Sequence, residues 1–130
     1  MQARRFAQVF GAVYVLVGVL GFAFTGLSDF AAPSSDKLIL FGVNPLHNLV
    51  HIAVGALWLW SSRSESTARA VSALIGAVYL LVGAVGLFVN GSSDLNLLNI
   101  NQPDNALHLA SAALGLYVGL AGRRTAASTA

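Results

Sequence analysis

Four stretches of the chain are nearly free of charge: residues 5–25, 46–61, 68–90 and 105–122. In the first, Ala7, Gly11, Tyr14, Gly18, Gly21 and Thr25 recur at alternating spacings of four and three. That spacing lines one side of a helix. The third stretch repeats it with Ser72, Gly76, Tyr79, Gly83, Gly86 and Asn90. The positions between are mostly Val, Leu, Ala and Phe. A soluble amphipathic helix puts its apolar residues on the packed side; here the small residues form the stripe and hydrocarbon covers the rest. Such helices pack closely through the small residues and turn apolar sides outward, as helices in lipid do. At 1.5 Å per residue, both stretches are long enough for a hydrocarbon core of about 30 Å. The second stretch carries Asn44, Asn48, His51, Gly55 and Trp58 on one face, and the fourth carries Asn101, Asn105, His108, Ala112 and Gly115. Both have shorter apolar runs because polar residues occupy the first turn. The pattern predicts an all-α fold, a bundle of four transmembrane helices.

The halves are related. From Gly11 to Asp29, 11 of 19 positions are identical to those from Gly76 to Asp94, at a constant offset of 65. The Asn/His segments pair at an offset of 57, because the first connecting loop is longer. The repeating unit is a two-helix hairpin, about 5–61 and 68–122, within a single domain spanning 1–130. Each unit crosses twice, so the copies share one orientation and a pseudo-two-fold axis along the membrane normal. Residues 125–130 are rich in Ala, Ser and Thr and read as a disordered tail.

Composition sharpens this picture. Charged residues are 9% and hydrophobic ones 56%, too few charges for a water-facing surface. The bilayer is therefore the expected partner, together with further copies or a larger membrane complex. A net charge of +2 and the absence of cysteine argue against nucleic acid, disulfides and thiolate chemistry. The run 6–24 exceeds a signal-peptide core and recurs inside the chain, so it reads as a retained helix. Arg4, Arg5, Arg63, Arg69, Arg123 and Arg124 fall at one end of the helices, and Asp29, Asp36, Asp94 and Asp104 at the other. The positive-inside rule then predicts a multi-pass cell-membrane protein with both termini cytoplasmic and the Asn/His segments on the outer face. Trp58 and Trp60 are expected in the inner aromatic belt.

Specific chemistry concentrates in Asn44-Pro45-Leu46-His47-Asn48-Leu49-Val50-His51 and its copy, Asn101-Gln102-Pro103-Asp104-Asn105-Ala106-Leu107-His108. One reading is structural: Asn44, Asn101 or Asp104 cap helices, and Asn48, Asn105, His51 and His108 are interhelical glue. A second is a metal site for zinc, copper or iron, formed by His47, His51, Asp104 and His108 as two i,i+4 pairs, with Asn48 and Asn105 orienting the imidazoles. A third is haem between His51 and His108. A fourth is proton or small-solute conduction, with Tyr14 and Tyr79 continuing the path. Asp29 and Asp94 read as turn residues, with a ligand role as the alternative. No serine stands in a nucleophile-elbow context, so an enzyme is not favoured.

Through the string Asn44 to His51, the segment Asp104 to His108 and the Gly-Ala-Val-Tyr-x-Leu-Val-Gly helices, the chain resembles a family of small four-helix bacterial membrane proteins, common in actinobacteria and classed as a domain of unknown function. The resemblance implies an integral membrane protein and transfers no catalytic residue. The expected role is that of a non-enzymatic accessory or self-assembling membrane subunit, with a metal- or haem-binding protein as the alternative.

Overall fold

The computed structural model describes residues 2–89 and 94–127, with side chains through 121. Its helices are α1 (Ala3–Thr25), α2 (Pro45–Ser61), α3 (Glu65–Gly86) and α4 (Gln102–Ala127). Between α1 and α2, strands β1 (Lys37–Leu38) and β2 (Phe41–Gly42) pair antiparallel, Lys37 against Gly42 and Leu38 against Phe41. Asn90 and the expected repeat residue Ser93 lie outside the described residues, as do 128–130 of the expected tail.

Helix ends follow local chemistry. Asn44 precedes Pro45 at the start of α2, and its side chain accepts the His47 N–H. Ser64 does the same for α3 through Thr67. Helix α1 has no side-chain cap of its own. Its free N–H groups are met from α3 instead: Glu65 accepts from Ala3 N at 2.9 Å and Arg4 N at 3.2 Å. A carboxylate there also complements the positive end of the helix dipole. At the far end, Gly26 takes φ +55° and donates to the Phe22 carbonyl, a left-handed stop that suits glycine.

Helix α1 packs chiefly on α2, and α3 on α4; α1 also touches α3. The small residues set the distance. A methyl on Gly11 would lie 2.8 Å from the Gly55 carbonyl, and one on Gly76 2.7 Å from Leu116 N. At the loop end the seam changes character. Gly21 faces the Asn48 side chain, and Gly86 faces that of Asn105, so closely that a Cβ would collide with each Oδ1. Among the described residues, α2 and α4 meet only through side chains, which leaves room between them for a cluster.

The bundle is apolar outside. Val9, Leu16, Leu74 and Leu81 are among the exposed residues, whereas His47, Asn48, Ser72, Asp104, Asn105 and His108 are buried. Among the described residues, two helices, α1 and α3, are long and apolar enough to cross a membrane. Three details depart from expectation. Helix α4 begins at Gln102 and continues to Ala127, past the Gly122 limit and into the stretch expected as tail. Helix α3 stops at Gly86 rather than running to residue 90. Trp58 is fully buried, its indole N–H donating to Ser72 Oγ at 3.2 Å. It shares the face of Asn48, His51 and Gly55, which turns it to the core rather than a belt; Trp60 stays half exposed.

Substituting Gly21→Ala or Gly86→Ala should destabilise the fold by about 1–3 kcal/mol, because the asparagine must leave its seat. Exposed Leu16→Ala should cost much less. Thermal unfolding in detergent, followed by circular dichroism, measures this; equal midpoints for all three would show that the asparagines do not set the helix contact.

Candidate functional site

The loop end is knitted from side chain to backbone. Asn44 Oδ1 accepts from His47 N at 2.8 Å, while its Nδ2 donates to the carbonyls of Ala32 at 3.0 Å and Leu97 at 2.8 Å. One cap therefore ties together the α1–α2 and α3–α4 loops. At the start of α4, Asn101 Oδ1 accepts from Asp104 N at 3.1 Å, and Asp104 Oδ2 accepts from Asn101 N at 2.9 Å. This reciprocal pair is a capping box. Asp104 Oδ2 also accepts from Gly42 N at 3.0 Å, and Asn101 Nδ2 donates to the Leu40 carbonyl at 2.9 Å. The β1–β2 hairpin is thus tied down onto α4. Asn99, in the left-handed region at φ 53°, closes the assembly through Ser34 and the Val43 carbonyl.

Under this layer lie three imidazoles. His47, His51 and His108 are 3%, 6% and 2% exposed, and one ring nitrogen from each lies within 4.8 Å of the others. His47 Nε2 is 3.0 Å from His51 Nε2. Two lone pairs would repel at that distance, so one nitrogen carries a proton or both turn to a shared cation. The Nδ1 atoms of all three have no hydrogen-bond partner, although the backbones of Gly42 and Leu98 approach His47. A buried polar atom without a partner costs about 1–3 kcal/mol, so the imidazoles keep hydrogen-bonding capacity that the fold itself does not use.

Tyrosines back the cluster. Tyr14 stacks on His51 with centroids 4.9 Å apart and planes at 13°, and Tyr79 lies 5.1 Å from His108. The Tyr14 hydroxyl shares a 2.7 Å hydrogen bond with Ser111 Oγ; the Tyr79 hydroxyl has no partner. Two cavities flank the imidazoles. One, of about 200 Å³, lies among Val13, Tyr14, Val17, Leu38, His47, His51, Asp104 and Leu107. The other, of about 190 Å³, lies among Val50, Val78, Tyr79, Val82, His47, His51 and His108. Val13, Tyr14 and Val17 are the repeat equivalents of Val78, Tyr79 and Val82. The cavities therefore occupy corresponding clefts, one against α1 and one against α3.

Several expected roles are reassigned. Of the expected His47/His51/Asp104/His108 set, the three histidines bring ring nitrogens together, while Asp104 Oδ2 serves the capping box and Gly42. Asn48 and Asn105 do not orient the imidazoles. Asn48 Nδ2 donates to Thr25 Oγ1 at 3.0 Å, and Asn105 Nδ2 to the Gly86 carbonyl at 2.7 Å; both dock helix on helix. Beside His51 and His108, the pair expected for haem, stands the His47 ring, its centroid 4.7 Å from that of His51 and 6.1 Å from that of His108. Asp29, at φ 48°, and Asp94 are exposed and lie in loops. The sequence reading passed over Ser111, Gly42 and Asn99. Ser111 lies one turn beyond His108 on α4, a signal for the Tyr14 contact that was available.

Residues 4–121 match the domain of unknown function DUF4383. The chain belongs to this family. Comparison with curated proteins and with solved structures gave no match. The family assignment leaves function to be argued from the site.

Asn44→Ala should cost about 2–4 kcal/mol, since it removes a helix cap and strands two loop carbonyls. Asn101→Ala, at a more exposed cap, should cost less. Chemical unfolding in mild detergent ranks the two; the reverse order would show that the loops are held elsewhere.

Proposed function

We propose that this DUF4383 protein is a four-span integral membrane protein, built from a duplicated helical hairpin, whose outer end is a membrane-embedded binding site. The observation that carries the reading is the set of buried imidazoles with unpartnered nitrogens. Asn44 and Asn101 use both the oxygen and the nitrogen of their side-chain amides, whereas the Nδ1 atoms of the imidazoles remain open. The inversion of the bundle, polar within and hydrocarbon without, supports lipid as its solvent. On this reading both termini are cytoplasmic, with Arg4, Arg5, Arg63 and Arg69 at the inner surface, and the β1–β2 hairpin covers the site from outside. Helices α2 and α4 complete the crossings, their capped first turns at headgroup depth. The exposed sides of α1 and α3 face lipid or the helices of further subunits. The protein acts by binding, as an accessory component, rather than by covalent catalysis.

The native chain lacks cysteine, so single introduced cysteines report topology cleanly. In intact cells, a membrane-impermeant maleimide should label Ser35→Cys and Asp94→Cys, and should reach Ser64→Cys only after permeabilisation. Labelling of Ser35→Cys and Ser64→Cys from the same side would mean that α2 does not cross, and the four-span reading would fall.

A further inference from the structure

The geometry points to a transition-metal ion, zinc or copper, as the ligand of the cluster, held by His47, His51 and His108. This rests on the binding-site reading above and names its occupant. His47 and His51 project from successive turns of α2, and His108 reaches across from α4. Three nitrogens with no thiolate favour the zinc–copper end of the divalent series. The distances suit an ion. With bonds of about 2.0–2.1 Å, tetrahedral ligands stand about 3.3–3.4 Å apart. The observed nitrogens bracket that spacing, from 3.0 Å between His47 and His51 to no more than 4.8 Å within the group. Small ring rotations close the set, and the cavities on either side leave room for them.

The surroundings fit as well. Tyr14 and Tyr79 brace the rings of His51 and His108. Three neutral imidazoles cannot offset a cation in an apolar bundle, but the Asp104 carboxyl lines the same cavity as His47 and His51, and a bound cation would favour its charged form. Its role is thus electrostatic and architectural rather than coordinating. Three protein ligands would leave a fourth position for a further ligand, and apolar cavities flank the imidazoles. That arrangement is the open form of a metal site rather than the closed structural one.

The test uses the full chain in mild detergent, stripped with a chelator and titrated with zinc chloride or copper(II) chloride. The expected result is one ion per chain. His47→Ala, His51→Ala and His108→Ala should each weaken binding by more than about 100-fold, since even outer-sphere partners are worth about 10–100-fold. Asp94→Asn should leave binding unchanged. Where a histidine variant does not fold, the parent decides: electron paramagnetic resonance of the copper(II) form should show coupling to three nitrogens. Absence of stoichiometric binding, or a copper spectrum without three nitrogen ligands, overturns the metal assignment. The cysteine map separates this from the wider reading: correct topology without metal leaves a binding site for another ligand, whereas failed topology removes the membrane frame itself.

Discussion

Polar groups buried in an apolar bundle have to find partners within it. This constraint organises the loop end of the protein. Water is excluded by the packed helices and by the apolar surfaces around them, so each Asn, Asp and His is placed by what it can bond. Asn44 takes a helix N–H and two loop carbonyls; Asp104 takes Asn101 N and Gly42 N. Asn48 and Asn105 cross from one helix to the next, onto Thr25 and the end of α3. The glycines at 21 and 86 exist in this scheme as seats for those amides. With these demands met, the histidines keep capacity left over, as do the Tyr79 hydroxyl and the Asn105 Oδ1 beside them in the bundle.

The repeat explains why the leftover capacity sits where it does. Equivalent positions in the two motifs are His47 and Asp104. The aspartate turns back to close a capping box and catch the β1–β2 hairpin. The histidine, one turn into α2, instead joins His51. The difference between these two similar segments therefore supplies a latch on one side and an additional imidazole on the other. The difference in loop length follows the same division. The longer first loop forms the hairpin that Asp104 holds, and its Leu38 and Phe41 close one cavity over the cluster.

Stability and access are linked through this architecture. Since α2 and α4 meet only by side chains, the space between them is as wide as the histidines and their neighbours require. The helices that touch most closely, α1 with α2 and α3 with α4, do so through small residues. Rigidity thus lies within each pair and openness between pairs, where both cavities are found.

The helical architecture and its inverted surface were legible in one dimension, because periodicity and residue size report which face of a helix packs. The stripe from Ala7 to Thr25 and its copy from Ser72 to Gly86 are buried as the spacing predicts, and Asn44-Pro45 announces the start of α2. The partner of each polar side chain was not legible. Spacing placed Asp104 beside His108, since positions four apart share a helix face; the capping box and the Gly42 amide, brought from 62 residues away, drew it off. Spacing also joined Asn48 and Asn105 to the imidazoles, but Gly21 and Gly86 on neighbouring helices claimed them. Sequence determined which residues carry chemistry because residue type is local. Tertiary structure decided which of them meet, because a buried hydrogen bond goes to whichever donor or acceptor the packing brings within about 3 Å.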